Sequence, residues 1–290
     1  MDDYGDSTDV EDSGNEVETS DTEIENTIEE TTVSNSVQAD WDVSEYSNSV
    51  QNDIVSSNAN SMENIGFMSN RVSESISTYS KEDYDRLYNP DGENVLGHHN
   101  IENGSIHVIN EYEPAAKHTI THEIFHKSSY QSNELVENEK GIIETRRSGV
   151  LEIQSNYDKE GKYIDSNEYG RALNEGITEM KSLDYLNSKG EIEAAESFNA
   201  YNESVNVSRQ LNDIVGSDVI DSAYFGGNKE ALSDEVNRLA KDDNAWNKLN
   251  SDLEIATYSN NIDERNAALS RIDEMMNTMM ETKELENENC

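Results

Sequence analysis

Hydrophobic and polar residues alternate with two different periods along the chain, and the change of period predicts an α+β protein. Alternation at every second position predicts strands over Gly104–Asn110, Gly141–Arg147, Gly149–Ser155 and Lys162–Asp165. Apolar residues three or four positions apart predict helices over Pro114 to about Tyr130, Tyr169–Lys189, Glu191–Val215, Val219–Phe225, Lys229–Lys241, Ala245–Tyr258 and Ile262–Glu284. We therefore expect a small antiparallel sheet, followed by a mostly helical C-terminal half.

All six histidines of the chain lie between positions 98 and 126, and two of them form an H-E-x-x-H motif. The motif places His122 and His126 four positions apart on a predicted helix, so both imidazoles leave one face and can bind one metal ion. Glu123 is turned away from that coordination sphere and can take a proton from a metal-bound water. A third ligand is needed, and a carboxylate from a second helix would leave the fourth position open for water.

A second motif, N-E-G-I-T-E at positions 174–179, supplies two candidate carboxylates. Glu175 and Glu179 lie one turn apart on the helix predicted over Tyr169–Lys189. One of them can bind the metal while the other accepts the free ring N–H of a histidine ligand, which fixes the tautomer of that ring. The simpler alternative is a histidine-rich surface helix with solvated acidic neighbours.

The other histidines are expected to play smaller parts. His118 lies one turn before His122 on the same face, where it could contact substrate but is expected at the partly exposed edge of the cleft. His98 and His99 follow Gly97 in a turn-like segment and are expected to be surface residues.

The two motifs together resemble the gluzincin type of zincin metallopeptidase. The resemblance implies that His122, His126 and Glu175 bind Zn²⁺, that Glu123 is the general base, and that Glu179 accepts the ring N–H of His122. It also implies a zincin-like fold.

A narrower resemblance is to the anthrax-lethal-factor-like toxin peptidases, and it covers about residues 93–190. In that group a Y-G-R-like stretch precedes the second helix, and its tyrosine helps to stabilise the tetrahedral intermediate. Tyr169-Gly170-Arg171 is similar, although Tyr169 stands six residues before the glutamate instead of seven. No histidine follows His126, so a downstream oxyanion donor must be a tyrosine or an arginine. Tyr169 is the first candidate, and the others are Tyr157, Tyr163, Tyr201 and Arg171.

Charge is distributed unevenly. The chain carries 62 acidic and 21 basic residues, a formal net charge of −41, and residues 1–70 contain no lysine or arginine. We expect three parts: a disordered acidic segment (1–70), a catalytic core (71–190) and a helical subdomain that completes it (191–290). Short apolar stretches at Trp41–Val43 and Ile65–Met68 are candidates to dock on the folded part.

Composition narrows the class of partner. Nucleic acid and anionic membranes are disfavoured because their phosphates need basic clusters, whereas basic peptides would be attracted. The single cysteine, Cys290, excludes an intrachain disulfide and a thiolate zinc site. Neither a signal peptide nor a membrane-spanning stretch is found, which predicts a cytoplasmic protein, with export as an effector left open.

The leading hypothesis is a zinc metalloendopeptidase, with its peptide or protein substrate lying along the Gly104–Asn110 strand. Two alternatives remain open. One is a metal-binding effector module without turnover, and the other is a zinc hydrolase of a non-peptide substrate.

Overall fold

Helices make up most of the described part of the chain, which also contains two small sheets. The structure is a computed structural model that describes residues 41–58, 72–89, 95–100, 103–197 and 201–288. The helices are α1 (Val43–Asn58), α2 (Lys81–Tyr88), α3 (Glu113–Ser128), α4 (Arg171–Lys189), α5 (Ile192–Glu196), α6 (Asn202–Val215), α7 (Ser217–Tyr224), α8 (Lys229–Ala240), α9 (Ala245–Tyr258) and α10 (Ile262–Glu288). The strands are β1 (Ile76–Tyr79), β2 (Gly97–His99), β3 (Ile106–Ile109), β4 (Gln131–Asn138), β5 (Gly141–Ser148), β6 (Leu151–Tyr157) and β7 (Tyr163–Tyr169). The predicted α+β class is confirmed.

The first sheet has three strands in the order β1-β3-β2. β1 is parallel to β3, and β2 is antiparallel to it. Ile106 and Val108 of β3 are buried beneath α3. Because β3 is paired on both sides, the prediction that a substrate lies along Gly104–Asn110 is wrong. Among the described strands of this sheet, β2 and β1 are the ones at its edges.

β2 replaces the turn that was expected around Gly97. A Cβ at Gly97 would lie 2.6 Å from Thr119 Cγ2 and 2.7 Å from the His107 carbonyl oxygen, so only glycine allows the strand to approach α3 this closely. His98 faces His107 across the strand pair, with 4.9 Å between ring centroids. His99 is half-buried, and burial lowers its pKa to about 3. Neither histidine of β2 is the free surface residue that was expected.

The second sheet is an antiparallel meander, β4-β5-β6-β7, that joins α3 to α4. β5, β6 and β7 correspond to the three predicted strands, while β4 was not predicted. The sequence of β4 is polar, and from Asn133 to Asn138 its side chains are exposed. A strand with both faces in solvent has no apolar alternation from which it could be recognised.

The helical half packs directly on the helix that carries the second motif. α4 contacts α6 and α9, and α10 contacts α8 and α9. The described residues all fall within one compact unit. The predicted single helix over Glu191–Val215 is wrong, because α5 ends at Glu196 and α6 begins at Asn202. No glycine or proline stands between the two helices in the sequence. Tyr201, the residue before α6, has a left-handed φ of 59°.

Helix α1 shows that the acidic segment 1–70, most of which was expected to be disordered, contains an ordered helix at Val43–Asn58. Val50 and Ile54, four positions apart, are buried in the main core. Trp41 and Val43 pack against that core, so the docking expected of this stretch is confirmed. Apolar residues on one face therefore anchor a helix that the acidic, polar composition of the segment did not indicate. Residues 1–40, the stretch Ile65–Met68 and Cys290 lie outside the described residues.

Among the described helices, none has the combination of length and apolar character needed to span a bilayer.

Candidate metal centre

Helix α3 lies inside the molecule rather than on its surface. It packs against α1, α4, α5 and the first sheet, and its residues from His118 to His126 are buried. Pro114 stands in its first turn, where the missing N–H costs no hydrogen bond. The alternative of a solvated, histidine-rich surface helix is therefore wrong.

Three side-chain atoms from α3 and α4 converge on one point. His122 Nε2 and His126 Nε2 are 3.0 Å apart, and Glu175 Oε2 lies 3.2 Å from the first and 3.1 Å from the second. Three atoms bound tetrahedrally to one zinc ion at about 2.0–2.1 Å would be about 3.3 Å apart. The donor set and its spacing thus fit a zinc ion, and among the described residues this is the group that could hold a metal.

Glu179 fixes the orientation of the first imidazole. Its Oε2 lies 2.8 Å from His122 Nδ1, so the ring donates its Nδ1–H to the carboxylate and leaves Nε2 as the atom that faces Glu175. Burial acts to raise the pKa of Glu179, but hydrogen bonds from His118 and His122 outweigh it and lower the pKa to about 2. Glu179 thus forms the hydrogen bond with His122 that the motif resemblance implied.

The second imidazole is held more loosely. His126 Nδ1 lies 3.4 Å from both Asn174 Nδ2 and Thr178 Oγ1. Asn174 is fixed in turn, because its Oδ1 accepts the backbone N–H of Val150, and Thr178 Oγ1 is 2.8 Å from the Asn174 carbonyl oxygen. With Nε2 facing Glu175, Nδ1 carries the hydrogen of the ring, and Thr178 Oγ1 is the neighbour that can accept it, while Asn174 ties α4 to Val150.

The buried carboxylates of Glu175 and Glu179 favour binding of a cation at this cluster. Burial acts to lower the pKa of His122, but Glu175 and Glu179 outweigh it and raise the pKa well above its usual range. For Glu175 burial acts to raise the pKa, but His126 and His122 bring it well below its usual range. In the absence of metal, a proton on His122 offsets the charge of the buried carboxylates, and a divalent cation can replace it.

Glu123 lies beside the three candidate ligands and is not part of their cluster. Its side chain is buried, and its carboxylate accepts the backbone N–H of His99 on β2. Burial raises the pKa of Glu123, against the lowering influence of His122 and His126. A raised pKa makes a carboxylate a better proton acceptor, as a general base requires.

His118 occupies a different place from the one expected. It is 1% exposed, not at a cleft edge, and it is hydrogen-bonded to Glu179 rather than to the ligands. The contact between His118 and Glu179 was not expected, because the motif resemblance paired Glu179 with His122 alone.

The structure does not bring Tyr169 to the ligands. Its ring is 55% exposed at the end of β7, and it makes neither a hydrogen bond nor a ring contact with the three ligand side chains. Arg171 is engaged with Glu168, with 2.7 Å between Nη2 and Oε2. Tyr201 instead lies over His122. Of the tyrosines that the sequence left open, Tyr201 is the one whose ring lies beside that of a candidate ligand, His122.

Comparison of the chain with known protein families, sequences and structures gives no match that bears on the site. No family model matches the chain, and neither the curated proteins nor the solved structures include a match to it.

Proposed function

We propose that this protein is a zinc-dependent peptidase of the gluzincin type, with a zincin-like catalytic core. The observation that carries the proposal is the convergence of His122 Nε2, His126 Nε2 and Glu175 Oε2 on one point, with Glu123 buried beside them. The motif spacing that resembles gluzincins supports it independently of these distances.

The residues divide the work of hydrolysis. A bound zinc ion would polarise the scissile carbonyl and lower the pKa of the water molecule bound to it. Glu123 accepts a proton from the attacking water, whose oxygen bonds to the carbonyl carbon. The C–N bond then breaks, and Glu123 delivers the proton to the leaving amine nitrogen. Glu179 keeps the Nδ1–H of His122 in place throughout.

The edge strand β2 is the best support for a peptide substrate. β2 contacts α3, and the backbone N–H of His99 is hydrogen-bonded to the Glu123 carboxylate. An extended peptide lying beside β2, instead of beside β3, would bring its carbonyl groups past the base. The acidic surface favours substrates with basic residues.

The test is cleavage of an unbiased peptide library by the full chain, with and without a zinc chelator. We expect cleavage that the chelator abolishes and that added zinc restores. Glu123→Gln should bind one zinc ion per chain but lose on the order of 10²–10⁴-fold or more in kcat.

The matched control is Glu113→Gln on the same helix, where the glutamate side chain is 43% exposed. It should cleave as the wild type does. Cleavage that survives the chelator, or undiminished turnover by Glu123→Gln, would overturn the proposal. A zinc-loaded protein that cleaves no peptide would instead support the alternative of a metal-binding module.

A further inference from the structure

His118 is a buried titratable residue that the proposed hydrolysis does not use. It lies one turn before His122 on α3 and is 1% exposed. Its Nδ1 is 2.9 Å from the carbonyl oxygen of Ala194 on α5, and its Nε2 is 2.8 Å from Glu179 Oε1. The other carboxylate oxygen, Glu179 Oε2, is the one that binds His122.

Hydrogen-bonding chemistry restricts where the protons lie. A carbonyl oxygen only accepts, so His118 Nδ1 carries a hydrogen that it donates to Ala194. A carboxylate oxygen also only accepts, so one further proton must lie between His118 Nε2 and Glu179 Oε1. Whichever of the two atoms holds it, the pair formed by His118 and Glu179 has no net charge.

This pairing gives Glu179 a fixed position and compensates its buried charge. Without His118, Oε1 would be a buried carboxylate oxygen that has lost a charge-assisted hydrogen bond. The carboxylate would then turn to recover a partner, and its turning would disturb the hydrogen bond from His122 Nδ1. The ring of His122 is a ligand in the proposed metal centre. Loss of His118 would therefore affect metal binding through Glu179 and His122.

We propose that His118 is a positioning residue of the metal centre, which acts through Glu179 to hold the ring of His122 ready for zinc. The inference rests on the proposed function only in taking His122 as a zinc ligand. A purely structural role would differ, because His118 would then fasten α3 to α5 through Ala194 and leave zinc affinity unaffected.

The experiment measures the zinc dissociation constant of the full chain by competition with a chromophoric chelator. Four proteins form a double-mutant cycle: wild type, His118→Leu, Glu179→Gln and the combination of both. Each single change should weaken zinc binding by about 10–100-fold, the usual effect of losing a residue that orients a metal ligand. The combination should be no weaker than the weaker single variant, because both changes break the same chain of contacts.

Two further variants sharpen the result. His118→Gln keeps an N–H donor that can reach Glu179 and should recover part of the affinity lost in His118→Leu. His107→Gln is the matched control, since His107 bonds to Tyr79 and Ser105, away from the ligands. It should bind zinc within twofold of the wild type.

The possible outcomes are distinct. Zinc affinity within twofold of the wild type in a folded His118→Leu protein overturns the inference and leaves the proposed function standing. Additive losses in the double variant also overturn it, since His118 would not act through Glu179. A wild type that binds no zinc overturns both proposals. If His118→Leu fails to fold, the same cycle is run with His118→Gln, with the visible spectrum of bound Co²⁺ as a second measure of ligand geometry.

Discussion

The ring of Tyr201 lies nearly parallel to the ring of His122, with 6.1 Å between centroids and 16° between planes. Tyr201 holds this position at a conformational cost, because its φ of 59° is left-handed and costs a residue other than glycine about 1–2 kcal/mol. Burial raises the pKa of Tyr201 well above its usual range, and the charge of Glu175 raises it further. Its hydroxyl therefore stays protonated at neutral pH and can donate a hydrogen bond to an oxyanion.

Tyr201→Phe should lower kcat by about 10–10³-fold, the range for loss of one oxyanion donor, while zinc affinity and fold are retained. The matched control is Tyr169→Phe, which removes the same hydroxyl from an exposed ring and should change kcat by less than about threefold. Both variants would be assayed on a peptide identified from the library. A larger loss for Tyr169→Phe than for Tyr201→Phe would reverse our assignment.

Zinc should stabilise the folded protein, because the converged ligands exist only when α3 and α4 are packed together. A free zinc concentration of about one hundred times the dissociation constant should add about 2.7 kcal/mol to the free energy of unfolding. Glu175→Gln should lose most of this gain. Asp184→Asn on the same helix, where the side chain is 57% exposed, should keep it. Thermal unfolding with and without zinc measures both, and equal zinc-dependent shifts in the two variants would contradict the proposed ligand set.

Glu144 should make the β4–β7 sheet sensitive to acid. A hydrogen bond from Arg146, together with one from Tyr157, lowers the pKa of Glu144 from 4.5 to about 2. Since the folded pKa lies below the unfolded one, the stabilisation is complete above about pH 4.5 and is lost as the pH falls towards 2. The stability difference between wild type and Glu144→Gln should therefore shrink over that range. Glu134→Gln, at an exposed position of β4, should show no such trend; a constant difference for Glu144→Gln would refute the assignment.

Gly176→Ala should destabilise the protein, although the same change in an exposed helix usually stabilises by about 1 kcal/mol. A Cβ at Gly176 would lie 2.6 Å from Ser208 Oγ and closer still to the carbonyl oxygen of Ser204, which belongs to the backbone of α6. We expect a loss of about 1–3 kcal/mol in urea unfolding, the usual cost of overpacking. A stabilised variant would mean that α6 moves aside freely. Gly190→Ala, with open space around its Cβ, offers a comparison in which the left-handed φ alone acts.

The clustering of the candidate ligand side chains His122, His126 and Glu175 could be expected from the sequence, because much of it depends on local helix geometry. His122 and His126 share a face by the period of the helix, and the same period separates Glu175 from Glu179. The packing of α3 against α4 does not follow from helix geometry. It could be expected only from the resemblance of the two motifs to those of gluzincins.

Other features depend on contacts between distant parts of the chain, and no local pattern indicates them. Which strand lies at the edge of the first sheet is decided by β1 pairing with β3. The approach of Tyr201 to His122 depends on where α6 begins, and that break carries no glycine or proline. The contact between His118 and Glu179 joins residues 61 positions apart.

The β4–β7 sheet also has a practical consequence. It is the stretch of chain between α3 and α4, yet its outer strands are largely in solvent. The turn at residues 139–140 is exposed and follows the exposed end of β4. Surface turns of this kind tolerate inserted peptides well. An affinity tag or a fluorophore placed at this turn would give a handle for immobilising or imaging the protein without touching either ligand-bearing helix.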